Sequence, residues 1–470
     1  MRRLALACLL AYAAAVGACE KKEPQVPVLT APPSPSSSSS SPSPPGAPES
    51  AADTAETRLV ARTLKRVSAV RGLAALRPVP GKVLDRAALV AEVRTKADTE
   101  YPKAVIEREG KSMELLGFAP PKFDYLGELS RLLEAQLDGF YEPRNGTMYL
   151  AADLAGDAAD LALAHELVHA LQDQHYDLKK HSGYRPGKSD ESMATSMLAE
   201  GDATSAMLDV MFKSQGKTAL DLPEEAFTGL LANAMNFGDA AKSPHLMRST
   251  LIFPYVEGTS FVHALRRKGG WALVDRAWRE RPQTTEQVLH PAKWEAHEPA
   301  LAVPAPSGAA LGEGFARIDE DTSGEGGLRL TFEEWVGDER GREAAAGWGG
   351  DRSGIFARGD TLADANLVVY DAGPRGAEDA NARRAFALLA QGLEKLGKPA
   401  LKDATTVCIE RKELGPLLLG RRGRALVVLA GPAERSAAAV WTPKSTCAKV
   451  KRWSAEVLAQ GDGVQGDGAR

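Results

Sequence analysis

Cysteine is scarce in this chain, with four in 470 residues, at Cys8, Cys19, Cys408 and Cys447. No two of them share a CxxC spacing, which argues against a thiolate metal site of the zinc-finger or ribbon kind. Net charge is low as well, −4 from 58 basic and 62 acidic residues that are well mixed along the chain. Neither nucleic acid nor an anionic lipid surface is therefore implied as a partner. Past the N-terminus no run approaches the roughly 18 consecutive apolar residues that a bilayer-spanning helix needs, so the body is expected to be soluble. No internal repeat is present, which sets aside solenoids and propellers.

The first residues supply the one long apolar run. Met1-Arg2-Arg3 is a basic start, and residues 4–16 are apolar, too short to cross a bilayer and of the right length for a signal peptide. The run ends Val16-Gly17-Ala18-Cys19, which resembles the bacterial lipobox, where cleavage leaves the cysteine as a lipid-modified N-terminus. Residues 1–18 are read as a lipoprotein signal and Cys19 as the lipidation site, with two or more acyl chains giving firm membrane anchoring. Glu20 follows where an aspartate would suggest inner-membrane retention, so the outer membrane of a bacterial envelope is favoured. Residues 19–57 contain Pro33-Ser34-Pro35 through Pro44-Pro45, a composition that cannot bury a core and reads as a disordered tether.

Within the apolar stretch 161–171, LALAHELVHAL, stands the pentad His165-Glu166-Leu167-Val168-His169. Histidines four apart share one face of a helix and can grip one metal ion; Glu166, about 100° further round, can act on a water bound to that metal. Three polar side chains in an apolar helix are costly to bury unless something satisfies them, and a zinc ion would.

Two residues compete as third ligand. His175 follows His169 by six, the spacing of HExxHxxGxxH, but Gln172 stands where that pattern needs a helix-breaking glycine. In an unbroken helix His175 lies about 9 Å further along the axis and on another face. The alternative is Glu200 in Ala199-Glu200-Gly201-Asp202, within a second helical stretch at 193–211 whose apolar stripe runs Met193, Met197, Met207, Leu208 and Met211. Glu200 falls on that stripe, where a carboxylate needs a partner, and two histidines with one glutamate leave a fourth metal position for water. Asp202 is read as a surface charge or as a residue orienting a ligand.

With His165, Glu166, His169 and Glu200 in the contexts HELVHALQDQHYDL and LAEGDAT, the chain resembles the gluzincin metallopeptidases, the thermolysin-like group with HExxH on one helix and a glutamate on a later one. It looks more closely like a set of bacterial exported proteins that share Phe253-Pro254-Tyr255, residues 285–291 (TEQVLHP) and residues 347–352 (GWGGDR), over about residues 120 to 380. The resemblance implies a hydrolase with one zinc ion, Glu166 as general base and a peptide or protein substrate. Where thermolysin-like enzymes carry an aspartate that orients the first histidine, this chain has Thr204.

Accessory roles are open to Tyr255, as a donor to an oxyanion, and to His290 before Pro291, as a late general acid or transition-state donor; the commoner reading is a core tyrosine with its hydroxyl satisfied and a turn residue that caps structure. Asn145-Gly146 between two short aromatic and apolar runs predicts a hairpin, whose second strand, 147–150, is either an edge for an extended substrate or part of a plain core hairpin. The segment 58–116 and residues 126–137 read as largely helical, and a helix opens at 253 and continues to 265. Residues 324–327 and 347–352 read as glycine loops; 367–370, 405–409 and 425–429 read as strands; 385–396 and 449–459 read as helices. The fold class expected is α+β, a mainly helical metallopeptidase domain over 58–300 with a small sheet beside the HExxH helix, then a small α+β unit over 301–470. An exported chain permits a disulfide between Cys408 and Cys447, and spacing leaves that pairing open. Two other functions fit the same sequence: a non-catalytic envelope lipoprotein that binds through a peptidase scaffold, and a zinc amidase acting on peptidoglycan.

Overall fold

A computed structural model describes residues 54–134, 137–153, 156–223 and 242–464. The signal segment, Cys19 and most of the Pro/Ser tether lie outside them. The protein is α+β: a helical body holding a three-stranded sheet, followed by a large antiparallel sheet with its own helices.

The helical body begins with α1 (Ala55–Arg71), opened by Thr54, whose side chain accepts from the Thr57 amide, and closed by Gly72 at φ 78°. Val60, Leu64, Val67 and Arg71 recur at helical spacing and are all buried, so a guanidinium continues an apolar stripe. Next come β1 (Gly81–Leu84), α2 (Arg86–Glu100), α3 (Lys103–Leu116) and α4 (Tyr125–Glu134). Strand β1 interrupts the segment that periodicity alone reads as helical. The hairpin forms as expected from β2 (Gly139–Glu142) and β3 (Thr147–Ala151), with Gly146 at φ 66° in the turn. The strand order is β1-β3-β2, with β1 parallel and β2 antiparallel to β3. This corrects one expectation: β3 is the central strand, already paired on both sides, so it offers no free edge to a substrate.

Two long helices make the centre, α5 (Gly156–Tyr176) and α6 (Ser189–Phe212). Residues 162–173 of α5 and 192–209 of α6 are buried on every side, so the polar side chains among their apolar and small residues must find partners in the interior. Helix α7 (His245–Arg279) crosses α6; it starts eight residues before the predicted opening and bends at Gly269 and Gly270. Short helices α8 (Thr285–Leu289) and α9 (Pro291–Glu295) follow.

The rest of the chain forms β4 (Ala316–Asp321), α10 (Gly324–Val336), α11 (Asp338–Ala345), β5 (Trp348–Arg358), β6 (Thr361–Tyr370), α12 (Ala380–Leu396), β7 (Pro399–Lys402), β8 (Thr406–Arg411), β9 (Gly415–Arg422), β10 (Ala425–Arg435), β11 (Trp441–Pro443) and α13 (Cys447–Gly461). The sheet order is β4-β5-β6-β10-β9-β8-β7, antiparallel throughout, with β11 on β10. Its strands alternate between two cores. Leu426 and Val428 join the large core that also holds Phe253, Leu328 and Trp348, while Val427 and Leu429 join Val450, Trp453 and Val457 of α13. The large core therefore runs without a break across residue 300. Cys408 on β8 and Cys447 at the start of α13 are disulfide-bonded.

Both predicted glycine loops turn out to be regular structure. Residues 324–327 open α10, and a Cβ on Gly326 would meet the Phe253 ring at 2.8 Å. Residues 348–352 begin β5, where a Cβ on Gly350 would stand 2.5 Å from the Leu301 carbonyl oxygen. Gly326 and Gly350 serve close packing, whereas Gly324 and Gly347, at φ 70° and 79°, turn the chain into α10 and β5. The seam between helical body and sheet is built from the same segments. Asp190 accepts from the Thr285 amide and hydroxyl, Thr285 Oγ1 accepts from the Gly326 amide, and Asp351 accepts from the Ser323 and Gly324 amides. Carboxylates thus sit at the first turns of α8 and α10.

Candidate metal centre

Helix α5 presents His165 and His169 on one face, as the i, i+4 spacing requires, and α6 lays Glu200 against them. The three nearest donor atoms form a triangle: His165 Nε2 to His169 Nε2 is 3.2 Å, His165 Nε2 to Glu200 Oε2 is 3.1 Å, and His169 Nε2 to Glu200 Oε2 is 3.5 Å. Ligands about 2.0–2.1 Å from a tetrahedral zinc ion stand about 3.3 Å apart, so these edges are those of one face of a zinc tetrahedron. All three side chains are fully buried.

The protonation pattern points the same way. His169 Nδ1 lies 2.8 Å from Gln172 Oε1, an acceptor only, so Nδ1 carries a proton. Buried and without partners among the described residues are His165 Nδ1, Glu166 Oε1 and Glu200 Oε1. Lone pairs of two imidazoles and a carboxylate converging in a dry interior call for a cation, and this donor set suits zinc. Within the cluster the imidazoles and the carboxylate bias one another's charge. Burial opposes charge on His169, but the Glu200 carboxylate outweighs it and holds the imidazole above its ordinary range, while burial lowers His165. Burial likewise works against an ionised Glu200, yet His169 and His165 hold it below the usual carboxylate range.

Glu166 is anchored to the small sheet. Its Oε2 accepts from the Tyr141 amide of β2 at 2.9 Å, and burial pushes its carboxyl up to about 8. One carboxylate oxygen of Glu166 also lies within 4.8 Å of a ring nitrogen of each histidine, so it is a rival ligand on distance alone. Glu200 Oε2 contacts both imidazoles, at 3.1 and 3.5 Å, while Glu166 is tied to the strand through the Tyr141 amide.

Sequence reasoning missed how Glu200 is brought there. A Cβ on Gly201 would meet the Gly258 carbonyl oxygen at 2.1 Å, and one on Gly258 would meet the Met197 carbonyl oxygen at 2.0 Å. Helices α6 and α7 touch backbone to backbone at this crossing, beside Glu200 on one helix and Tyr255 on the other. The Tyr255 ring stacks on His165 with centroids 5.8 Å apart.

Asp202 is not a surface charge. It is fully buried and accepts from Arg71 Nε at 2.5 Å, Trp278 Nε1 at 2.8 Å and Gln172 Nε2 at 3.2 Å. Arg71 also reaches Asp275 at 2.7 Å, and Asp275 accepts from the Tyr176 hydroxyl. The stripe on α1 was the available signal for Arg71; nothing local marks its partner 131 residues away. His175 turns away from the site to the Ala74 carbonyl at 2.7 Å. His290 pairs with Glu325 across the α9–α10 seam, at 2.8 and 3.0 Å, and no hydrogen bond or ion pair links it to His165, His169 or Glu200 among the described residues. A second gathering of possible ligands, His245, Glu333 and Asp338, is partly in solvent, and Arg329 already engages Glu333.

Residues 313–441 match a domain of unknown function, DUF8575. That match runs from β4 through β10 and includes none of the HExxH helix. No curated protein matches the chain. Among solved structures, a protein from Chloroflexus aurantiacus described as a "putative hydrolase with a novel fold" is 19% identical, with a TM-score of 0.33, over 51% of this chain and 87% of that one. A likeness that slight carries no argument about fold or activity. The gluzincin resemblance therefore rests on the four site residues themselves.

Proposed function

We propose that this protein is a zinc-dependent peptidase of the bacterial cell envelope, held to a membrane by a lipid on Cys19 and cutting peptide or protein substrates. The observation that carries the reading is the donor triangle of His165, His169 and Glu200, with edges of 3.1 to 3.5 Å in a fully buried site. A zinc ion held there would lower the pKa of its water and polarise the scissile carbonyl. Everything else falls to the chain. Glu166 keeps Oε2 on the Tyr141 amide and uses Oε1, the oxygen without a partner, to take a proton from water and return it to the leaving amine. Tyr255, stacked on His165, would present its hydroxyl to the oxyanion. For the envelope location, support comes from the basic start, the apolar run and the Val16-Gly17-Ala18-Cys19 junction.

The test is metal analysis together with a peptide-library cleavage assay. Wild type is expected to carry one zinc per chain and to cleave. Glu166→Gln should keep the metal and lose about 10²- to 10⁴-fold in rate, and His169→Ala should lose zinc as well. A purified protein that takes up no zinc sinks the reading.

A further inference from the structure

Gln172 occupies the position where a different zinc-peptidase pattern would need glycine, and its side chain makes three contacts that no surface glutamine makes. It is fully buried. Its Oε1 lies 2.8 Å from His169 Nδ1, and its Nε2 lies 3.0 Å from the Ala199 carbonyl and 3.2 Å from Asp202 Oδ2. An amide can be turned end for end, and hydrogen-bond partners decide which end is which. Here they decide it. Ala199 O and Asp202 Oδ2 are acceptors only, so the NH₂ must face them; reversing the amide would set its oxygen against a carbonyl and a carboxylate. Asp202 cannot swing away, because Arg71 and Trp278 hold both its oxygens.

We propose that Gln172 is a positioning residue for the metal centre: locked by Asp202, Arg71 and the Ala199 carbonyl, it holds the proton of His169 on Nδ1 and so turns the Nε2 lone pair toward Glu200 and His165. The inference rests on the zinc reading above. Gln172 also bridges the two ligand-bearing helices, since Ala199 directly precedes Glu200. One side chain thus sets both the ring orientation of a ligand on α5 and the axial register of the ligand on α6. Thr204, where a gluzincin aspartate would orient the first histidine, has no hydrogen-bond partner for its Oγ1 among the described residues, and orientation enters through the second histidine.

Two variants of the full chain test this. Gln172→Met keeps the volume and removes every polar contact; Gln172→Glu keeps an acceptor for His169 Nδ1–H but sets a second carboxylate beside Asp202. Zinc affinity is measured by chelator competition, the stability of the metal-free protein by thermal unfolding, and the Nδ1–H signal by ¹H–¹⁵N correlation on histidine-labelled protein. A partner that orients a ligand histidine is worth about 10- to 100-fold in metal affinity. Gln172→Met should therefore bind zinc about 10- to 100-fold more weakly and lose the slowly exchanging Nδ1–H signal. Gln172→Glu should keep that signal and bind zinc more tightly than Gln172→Met although it unfolds at lower temperature. A purely structural glutamine predicts the reverse, with affinity following stability. Wild-type affinity and an unchanged signal in Gln172→Met overturn the proposal, as does a wild-type His169 whose proton resides on Nε2. The signal is read in metal-free protein too. A chain that takes up no zinc thus refutes the peptidase reading while the His169–Gln172 bond is still tested, and a variant too unstable to purify leaves the wild-type signal to decide.

Discussion

Replacing Gly201 by alanine strikes the crossing that brings Glu200 to the histidines. The added Cβ would lie 2.1 Å from the Gly258 carbonyl oxygen, 2.2 Å from its carbon and 2.8 Å from the Thr259 nitrogen, all backbone atoms that no rotamer change can move. Non-bonded contacts settle near about 3.5 Å, so α6 and α7 would have to part by roughly 1.4 Å at their crossing. Overpacking a core costs about 1–3 kcal/mol, and a clash of main chain with main chain belongs at the upper end. Glu200 is the adjacent residue and would move with the helix. A misplacement of about 1 Å costs on the order of 100-fold in rate. The expected result for Gly201→Ala is a melting temperature lower by several degrees, weaker zinc retention and a peptidase rate down about 100-fold. Gly397→Ala is the control, with an extended backbone at φ 171° and nothing within 4 Å of its Cβ position, and should match wild type. If Gly201→Ala melts with wild type and keeps its zinc, the crossing does not set the site and the argument from close approach fails.

Two further predictions concern the seam and the disulfide. Burial, with Asp351 and Asp321 adding to it against the Thr285 hydrogen bonds, pushes the Asp190 carboxyl up to about 7. A raised carboxyl stabilises the fold at low pH, and that contribution is lost as pH rises through about 7. Asp190→Asn keeps the acceptor for Thr285 without the charge, so its stability relative to wild type should climb between about pH 4 and pH 7, by up to about 4 kcal/mol, in thermal melts across that range; a difference that is flat with pH refutes it. The Cys408–Cys447 bond closes a loop 39 residues apart in sequence, and chain entropy assigns such a loop about 4 kcal/mol. Reduction, or the double serine variant, should lower the melting temperature while zinc content stays at one per chain; loss of zinc would mean that the sheet and the metal centre are coupled more tightly than their separate positions imply.

Much of this molecule was legible without coordinates, and the legible parts share a cause. The face shared by His165 and His169 follows from the helical period alone, as does the stripe on α6 that singled out Glu200. The Asn145-Gly146 hairpin and the apolar runs that became β6, β8 and β10 are likewise written within a few residues of themselves. Local misreadings came from glycine, whose composition looks like a loop whether it frees a turn or admits a neighbour. At residues 324–327 and 347–352 it admits Phe253, Thr285 and Leu301, which only the assembled body brings near. The hairpin's second strand could not be known as central until β1, from more than 60 residues earlier, paired with it.

By itself, then, the chain determined the chemistry available: two imidazoles one turn apart, a glutamate between them and an unsupported carboxylate on a later helix. Tertiary structure decided what those groups face. It brought Glu200 to 3.1 Å from His165 through a glycine crossing, tied Glu166 to an outer strand, and enlisted Arg71, Asp202 and Gln172 to fix one ring nitrogen. The division has a physical reason. Helical period is set by hydrogen bonds four residues apart, whereas a contact between residues 71 and 202 exists only once two helices have packed, and no local pattern records where they meet.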